Sequence, residues 1–360
     1  MGIFERGIKL LLPKEGLPKL SKIPMEEVKR VVVFSNTNIG NTLFSTPIFR
    51  ELKKNYPEKE IYALLNPANA SIFQNNPHLT GIFLYPGTKG EFGKALHQLR
   101  NLGVDLIIIA HSNEPEATPL AVLSGAKYIL QTPNKNNPFN RWHNNPPTTC
   151  FPCKHETLHQ LESLKYLGIE HFSCHPEIFI EQCWRREGEK KLRSIWERRL
   201  IGLQIGASTP SKKWYPQRWV ELGKALLKRY PEYLLILTGS MADREEAREI
   251  ARQIGGNRVV NVAGLLSLGG AVALLERLEL LISPDTGPLH LAATVGTKTI
   301  GLFSPTSPTL NNPCWDRNIH LPIFHPRPCP KCSIKECQSP FCMGQIQVEE
   351  VLHATQLLLG

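Results

Sequence analysis

The chain has 360 residues, enough for about two ordinary domains, and its 41% hydrophobic and 21% charged residues suit packed globular cores. No apolar run approaches the roughly 20 residues needed to cross a bilayer, and Glu5, Arg6 and Lys9 interrupt the opening stretch where a secretory signal would be apolar, so a cytoplasmic location is expected. The formal charge of +10 favours anionic partners, but no arginine-rich or aromatic-interleaved stretch points to nucleic acid.

Residues 1–29 form a basic leader, with Ile3, Phe4, Ile8 and Leu10–Leu12 set among Lys9, Lys14, Lys19 and Lys22. Two readings of it stay open. It lies peripherally on an anionic membrane, at the inner face of the cytoplasmic membrane, or it packs as a flexible arm on the body. Val31–Ser35 (VVVFS) then reads as a buried parallel strand, followed by a loop Asn36–Asn41 and a helix over Thr42–Asn55. Strands are expected at Ile61–Leu65, Gly81–Leu84 and Val104–Ala110, with helices at Ala68–Asn75 and Phe92–Leu102 between them. Residues 131–155, rich in Asn and Pro, read as a long functional or mobile loop. A helix over Glu156–Leu167 leads to a domain junction near residues 175–195.

The second half repeats the design. Strands are expected at Leu200–Ile205, Tyr233–Leu237, Val259–Asn261 and Leu280–Ser283, with Thr299–Phe303 closing the sheet. Helices fall at Gln217–Arg229, Arg244–Ile254, Gly270–Leu278 and Pro288–Val295. Strand and helix alternating at this pitch predict two doubly wound α/β domains in series, facing a cleft. They span 30–185 and 186–345, with a C-terminal helix in 346–360 packing back on the N-terminal domain. No repeat of 20–50 residues is visible, which excludes a solenoid.

Three loops of the second half follow strands and precede helices, where open α/β sheets bind ligands. Gly206–Pro216 (GASTPSKKWYP) offers backbone N–H groups, the hydroxyls of Ser208 and Thr209, and Lys212 and Lys213, a set suited to a diphosphate. The same residues also suit a solvated basic loop. Gly239–Asp243 (GSMAD) allows close approach at Gly239 and sets Asp243 or Glu245 where a ribose would hydrogen-bond, although an Asp there is more often a helix cap. Ser283–His290 (SPDTGPLH) sets an acid, a hydroxyl, a glycine and a helix-starting proline at one strand end, with His290 a turn into the helix. A cap alone does not require that whole run.

This last segment, extended to SPDTGPLHLAATVGTKTIGLFSPTSP, resembles the donor domain of glycosyltransferase family 9, the lipopolysaccharide heptosyltransferases. NIGNTLFSTPIFRELKKNYP is similar to that family's opening motif, and the cysteine-containing tail with Met343 and Val348–Val351 to its end; the likeness covers residues 30–355. The resemblance implies a GT-B architecture, with an N-terminal acceptor domain and a C-terminal nucleotide-sugar domain. It implies an inverting transfer of a sugar, a heptose in the best-known branch, from an ADP-linked donor to a lipopolysaccharide-type or other lipid-linked or saccharide acceptor, with no required cofactor. By position, Gly206, Ser208, Thr209 and Lys212 would hold the diphosphate. Asp285, Thr286, Gly287 and His290 would orient the donor, while Gly239, Met241, Asp243, Val262 and Leu265 would line the nucleoside.

One position departs from the family. Its opening loop reads I-G-D, the Asp being the expected general base, whereas this chain reads Ile39–Gly40–Asn41, and an amide cannot accept that proton. His111, Glu114 and Glu116, just past a strand, are the candidate substitutes. The alternatives are a catalytically silent nucleotide-sugar-binding relative and an introduced substitution. A nucleotide-dependent oxidoreductase is disfavoured, because no G-x-G-x-x-G follows a strand.

Nine cysteines is an odd number for a chain with no export signal, so a disulfide framework is not expected. Cys329, Cys332, Cys337 and Cys342 are spaced for a structural metal, and Cys150 and Cys153 add a C-x2-C pair, but the pattern is not a standard zinc ribbon. Local disulfides or thiols account for them equally. Trp142, His143 and His155 are candidate acceptor contacts or loop anchors.

Overall fold

The structure, a computed structural model, describes residues 3–147, 155–326, 329, 337 and 341–360. The chain divides into two compact units, residues 1–179 and 180–360, each with its own parallel sheet. No helix of the described residues is long and apolar enough to cross a membrane.

In the first unit five strands line up in the order β3-β2-β1-β4-β5, all parallel: β1 Arg30–Ser35, β2 Glu60–Leu65, β3 Gly81–Leu84, β4 Leu106–His111 and β5 Tyr128–Gln131. The central strands are apolar on both faces because helices cover both. Val31–Phe34 and Leu106–Ile109 are essentially inaccessible. Around them run α1 Ile3–Leu11, α2 Ile39–Asn55, α3 Pro67–Ala70, α4 Phe92–Leu102, α5 Ala117–Leu123 and α6 Glu156–Leu161, the last continuing as a 3-10 turn to Leu167. Helix α2 begins earlier than its apolar spacing suggests. Asn38 caps it, its side chain accepting from the Asn41 amide at 3.1 Å, so the expected loop is cut to three residues.

The leader packs on this unit. Ile8 is buried in the core of the first sheet, Leu12 packs with Phe139 and Trp142, and Leu10 and Leu11 are exposed. The stretch that follows is tied down by Leu17 N–H to the Arg141 carbonyl and Leu20 N–H to the Asn144 carbonyl, both 2.9 Å.

The Asn-rich segment is likewise ordered over its described part, residues 131–147. Asn144 and Asn145 side chains accept from the amides of Ile129 (2.7 Å) and Gln131 (2.9 Å), so carboxamides satisfy the outer edge of β5 in place of a further strand. Trp142 and His143 are buried anchors. The Trp142 indole donates to the Pro13 carbonyl, and His143 Nε2 meets the Thr118 hydroxyl at 2.8 Å. Burial pushes His143 down to about 3, so it stays neutral. His155 caps α6, accepting from the Thr157 amide at 3.1 Å. These three serve as anchors, the second of the two readings.

The second unit has six parallel strands in the order β11-β10-β9-β6-β7-β8: β6 Arg199–Gln204, β7 Tyr233–Thr238, β8 Val259–Asn261, β9 Leu280–Pro284, β10 Lys298–Phe303 and β11 His320–Phe324. The sheet therefore closes on β11, one strand beyond the expected end. Helices α7 Gln182–Lys191, α8 Pro216–Arg229, α9 Arg244–Ile254, α10 Leu268–Arg277, α11 Gly287–Thr294, α12 Pro308–Asn311 and α13 Val348–Leu359 surround it. Trp214 and Trp219, edge to face at 4.8 Å, anchor the core, the Trp214 indole donating to the Ile346 carbonyl at 3.2 Å. Helix α13, expected to pack back on the N-terminal domain, contributes to the second core. Its buried face, Val351, Ala354 and Leu358, packs there with Leu226, Ile300 and Ile323, because its apolar stripe matches the groove between α8 and the β10–β11 edge.

Candidate functional site

In the second unit the sheet order reverses direction between β9 and β6, and the loops leaving these neighbours come together at their carboxyl ends. After β6 the chain forms a turn, Pro210–Lys212, that aims Lys212 across the gap. Its ammonium donates to the Asp285 carbonyl (3.0 Å) and to Asp285 Oδ2 (2.9 Å). Asp285, directly after β9, is 5% exposed. His290 Nε2 lies 3.3 Å from its Oδ1, and the Asn311 amide donates to Oδ2 at 3.3 Å. Burial alone would raise this carboxyl. The His290 hydrogen bond and the Lys212 charge overcome that and hold it well below the usual carboxylate range, so it is an anion at any physiological pH. Thr286 is the N-cap of α11, and Thr286 and Gly287 head a helix whose dipole also favours negative charge there. The arrangement is one fixed anion holding a lysine beside a helix N-terminus.

The loop after β7 is braced from within. Asp243 Oδ2 accepts from the Ser240 amide (2.9 Å) and hydroxyl (2.6 Å), and Oδ1 from Lys213 at 3.1 Å; Lys213 also reaches Glu246 at 3.0 Å. Both Asp243 oxygens thus accept bonds inside the protein, bracing the loop on which the sequence expected a ribose contact. Glu245, the other ribose candidate, is exposed and pairs with Arg248. The close fit explains Gly206, since a Cβ there would sit 2.2 Å from Asp243 Oδ2. Gly206→Ala should therefore cost about 2 kcal/mol through overpacking and a strained cap, read as a lower midpoint in urea; an unchanged midpoint would show that the loop yields freely. Gly264, at φ +67, packs its Cα against Met241, so the 239–241 and 262–265 loops form one wall on which Met241 is exposed and Val262 buried. Ser208 is exposed and Thr209 partly so, on the same rim as Lys212.

In the first unit the order reverses between β1 and β4. His111, ending β4, hydrogen-bonds through Nδ1 to the Thr37 hydroxyl at 2.8 Å, and burial lowers it to about 4. Ser112 donates to Asn36 Oδ1 at 2.6 Å, tying the two loops. Glu114 is occupied by the α5 N-terminus, accepting from the Thr118 amide and hydroxyl and from Asn137; burial raises it. Glu116 is buried at the α5 N-cap position. Of the three candidate substitutes, His111 lines a cavity. This cavity, of about 400 Å³, lies at the carboxyl ends of β4 and β5. Glu156 and His159 of α6 line it, and desolvation raises Glu156 to about 7, the Gln160 hydrogen bond opposing. Asn41, one turn into α2, connects to it indirectly: Ser45 hydroxyl lies near the Asn41 carbonyl (3.1 Å) and Gln160 Oε1 (2.7 Å), and Gln160 donates to Glu156 at 3.4 Å.

Residues 154–341, just over half of the chain, match the model of glycosyltransferase family 9 (heptosyltransferase). The chain belongs to glycosyltransferase family 9. As a family 9 glycosyltransferase it is 26% identical over 291 residues to lipopolysaccharide heptosyltransferase 3 of Escherichia coli strain K12, covering 78% of this chain and 83% of that one. It is 32% identical over 150 residues to lipooligosaccharide heptosyltransferase 2 of Haemophilus influenzae, covering 39% and 43%. In fold it matches a family 9 glycosyl transferase from Veillonella parvula (TM-score 0.77, 21% identity, 92% and 97% covered) and E. coli ADP-heptose heptosyltransferase II (0.72, 20%, 92% and 98%). The expected pair of doubly wound α/β units of the GT-B type holds.

Sequence reasoning about this family 9 enzyme missed Glu156, which passed as a first-turn helix acid, and Asn311, which lies beyond the motif. Among the described residues no group of three or more His, Cys, Asp or Glu is placed to hold a metal. Of the cysteine cluster, Cys329, Cys337 and Cys342 are described, while Cys332, Cys150 and Cys153 lie outside the described residues.

Proposed function

We propose that this glycosyltransferase transfers a sugar, a heptose in the simplest case, from an ADP-linked donor to a saccharide acceptor of the lipopolysaccharide core, with inversion. The Lys212–Asp285–His290 cluster at the α11 N-terminus carries the reading. Its support is the family membership together with relatives named lipopolysaccharide heptosyltransferases and a fold match to an ADP-heptose-dependent one.

In this reading the donor diphosphate lies over Thr209, Lys212 and the amides of Thr286 and Gly287, with Gly206 and Ser208 on the rim. The nucleoside lies along the Gly239–Met241 and Val262–Leu265 wall that Asp243 braces. As the acceptor oxygen bonds to the anomeric carbon, the old C–O bond breaks and its electron pair leaves on the diphosphate. Lys212 and the helix N-terminus stabilise that charge from fixed positions, and no metal is needed to do so. Asp285 orients both Lys212 and His290 toward the leaving group. The donor is a cytoplasmic metabolite class, which is where the enzyme would act.

Calorimetric titration with ADP, UDP and GDP tests this first. ADP should bind selectively and lose at least tenfold in affinity in Lys212→Ala, since one charge-assisted contact contributes about 1.5–3 kcal/mol. No binding of any of the three would overturn the donor reading. Asn41 favours a second reading, a silent donor-binding relative. It requires tight ADP binding with no turnover on any core acceptor, before or after Asn41→Asp.

A further inference from the structure

The cavity of the first unit fits a specific task left open by Asn41. It sits where loops leave β4 and β5, and its lining is polar: Gln131, Thr132, Asn134, Lys135 and Asn136 with the Ser112 hydroxyl. A hydroxyl-rich ligand finds both donors and acceptors there, whereas an apolar one would strand them. At about 400 Å³ it falls within the roughly 300–1,000 Å³ of small-molecule sites. Three titratable groups converge on it from two elements, His111 from β4 and Glu156 and His159 from α6. Lys135 is the cation on its rim.

Their geometry divides their roles. His111 Nδ1 is committed to Thr37. His159 Nε2 lies 2.9 Å from the Pro133 carbonyl and donates to it, and Nδ1 lies 3.9 Å from Glu156 Oε2. Glu156 Oε1 takes only the long bond from Gln160, so the carboxylate can turn a lone pair into the cavity. Gln160 itself is fixed by Ser45, whose hydroxyl also contacts the Asn41 carbonyl. Glu156 is thus linked through Gln160 and Ser45 to the main-chain carbonyl of Asn41 in the first turn of α2.

We propose that this cavity binds a hydroxyl-bearing saccharide acceptor and that Glu156 is the proton acceptor replacing the absent aspartate at position 41. The proposal rests on the transferase reading above. Glu156 takes the proton of the attacking hydroxyl as its oxygen bonds to the anomeric carbon, and the nucleoside diphosphate leaves with the electron pair. The proton then passes to solvent. Desolvation sets the acid's affinity for that proton near neutrality, where a general base works best.

The test uses the full chain with deacylated lipopolysaccharide core oligosaccharide as acceptor probe and ADP-heptose as donor. The oligosaccharide alone should bind the wild type calorimetrically and weaken at least tenfold in Asn136→Trp, which fills the rim, with ADP affinity unchanged. Glu156→Gln should keep both affinities within a few-fold while kcat falls about 10²- to 10⁴-fold. In the wild type kcat/KM should rise with pH through about 7, and this limb should vanish in Glu156→Gln. The proposal is overturned if the oligosaccharide fails to bind, if Asn136→Trp leaves its binding intact, or if Glu156→Gln turns over at the wild-type rate with the limb intact. In that last case ADP-heptose turnover itself would stand, so only the assignment of the base would fall. Absence of ADP binding would instead strike the donor reading and leave the oligosaccharide titration to judge the cavity.

Discussion

Replacing Asp285 by alanine should lower turnover of the sugar donor by about 10³-fold or more while leaving the protein folded. The size follows from what the carboxylate holds. Lys212, His290 and Asn311 each reach it once, so its loss frees the imidazole and leaves Lys212 held only by the main-chain carbonyl of residue 285, loosening both groups where leaving-group charge is to be met. Removing a single preorganised donor from such a site commonly costs about 10²–10³ in rate, and here two are loosened together. The fold should survive because Lys212, with about a fifth of its side chain exposed, can turn to water once its partner is gone. Steady-state kinetics alongside a thermal melt separates the two effects. Full activity in the variant would remove Asp285 from the mechanism, and donor-independent unfolding would make it a structural ion pair.

The second large effect concerns stability and has an unusual sign. Glu156→Gln should stabilise the protein above neutral pH. The folded carboxyl is raised to about 7 from an ordinary 4.5, so its protonated form is favoured by folding. Its contribution to stability is fully present below about pH 4.5 and is lost as pH rises through 7, at about 1.4 kcal/mol for each pH step of one between those two values. By pH 8 the wild type should be about 3 kcal/mol less stable than the glutamine variant, several degrees in melting temperature, and at pH 4 the two should coincide. Urea denaturation at both pH values checks this. Equal stabilities at pH 8 would mean that the carboxylate is better solvated than the cavity wall suggests. A gain in stability with a loss of turnover in the same variant is the pattern expected of a group kept for function.

How much of this was legible in the sequence depends on the range of the interaction. The apolar runs VVVFS and DLIIIA could only be buried parallel strands, and α8, α9 and β8 fell at or within one residue of their expected bounds. Strand β5 and helix α5 were missed. YILQ is four residues long and runs into an Asn-rich segment, and ATPLAVL carries a proline near its start. Strand β11 was hidden by Pro322 within HLPIF, tolerated because it lies on the sheet edge. At the site, the Ser283–His290 run announced itself because its residue types are unusual together. The pairing of Lys212 with Asp285, 73 positions apart, had no signature in the sequence, which assigned the two residues separate roles. Glu156 gave no signal. An acid in the first turn of a helix is ordinary, and the desolvation that sets it apart comes from β4, β5 and the Pro133–Asn136 segment folding over it. For Asp243 nothing in the sequence marked the internal bonds that both its oxygens accept.

Helix α13 stays with the second unit, so each unit is one uninterrupted stretch of chain and a single peptide link at Phe179–Ile180 separates them. That makes the protein unusually open to recombination. One crossover at this link would exchange the whole first unit between relatives while carrying the whole second unit, its last helix included. Chimeras of this kind would report which unit sets the choice of acceptor and which the choice of donor.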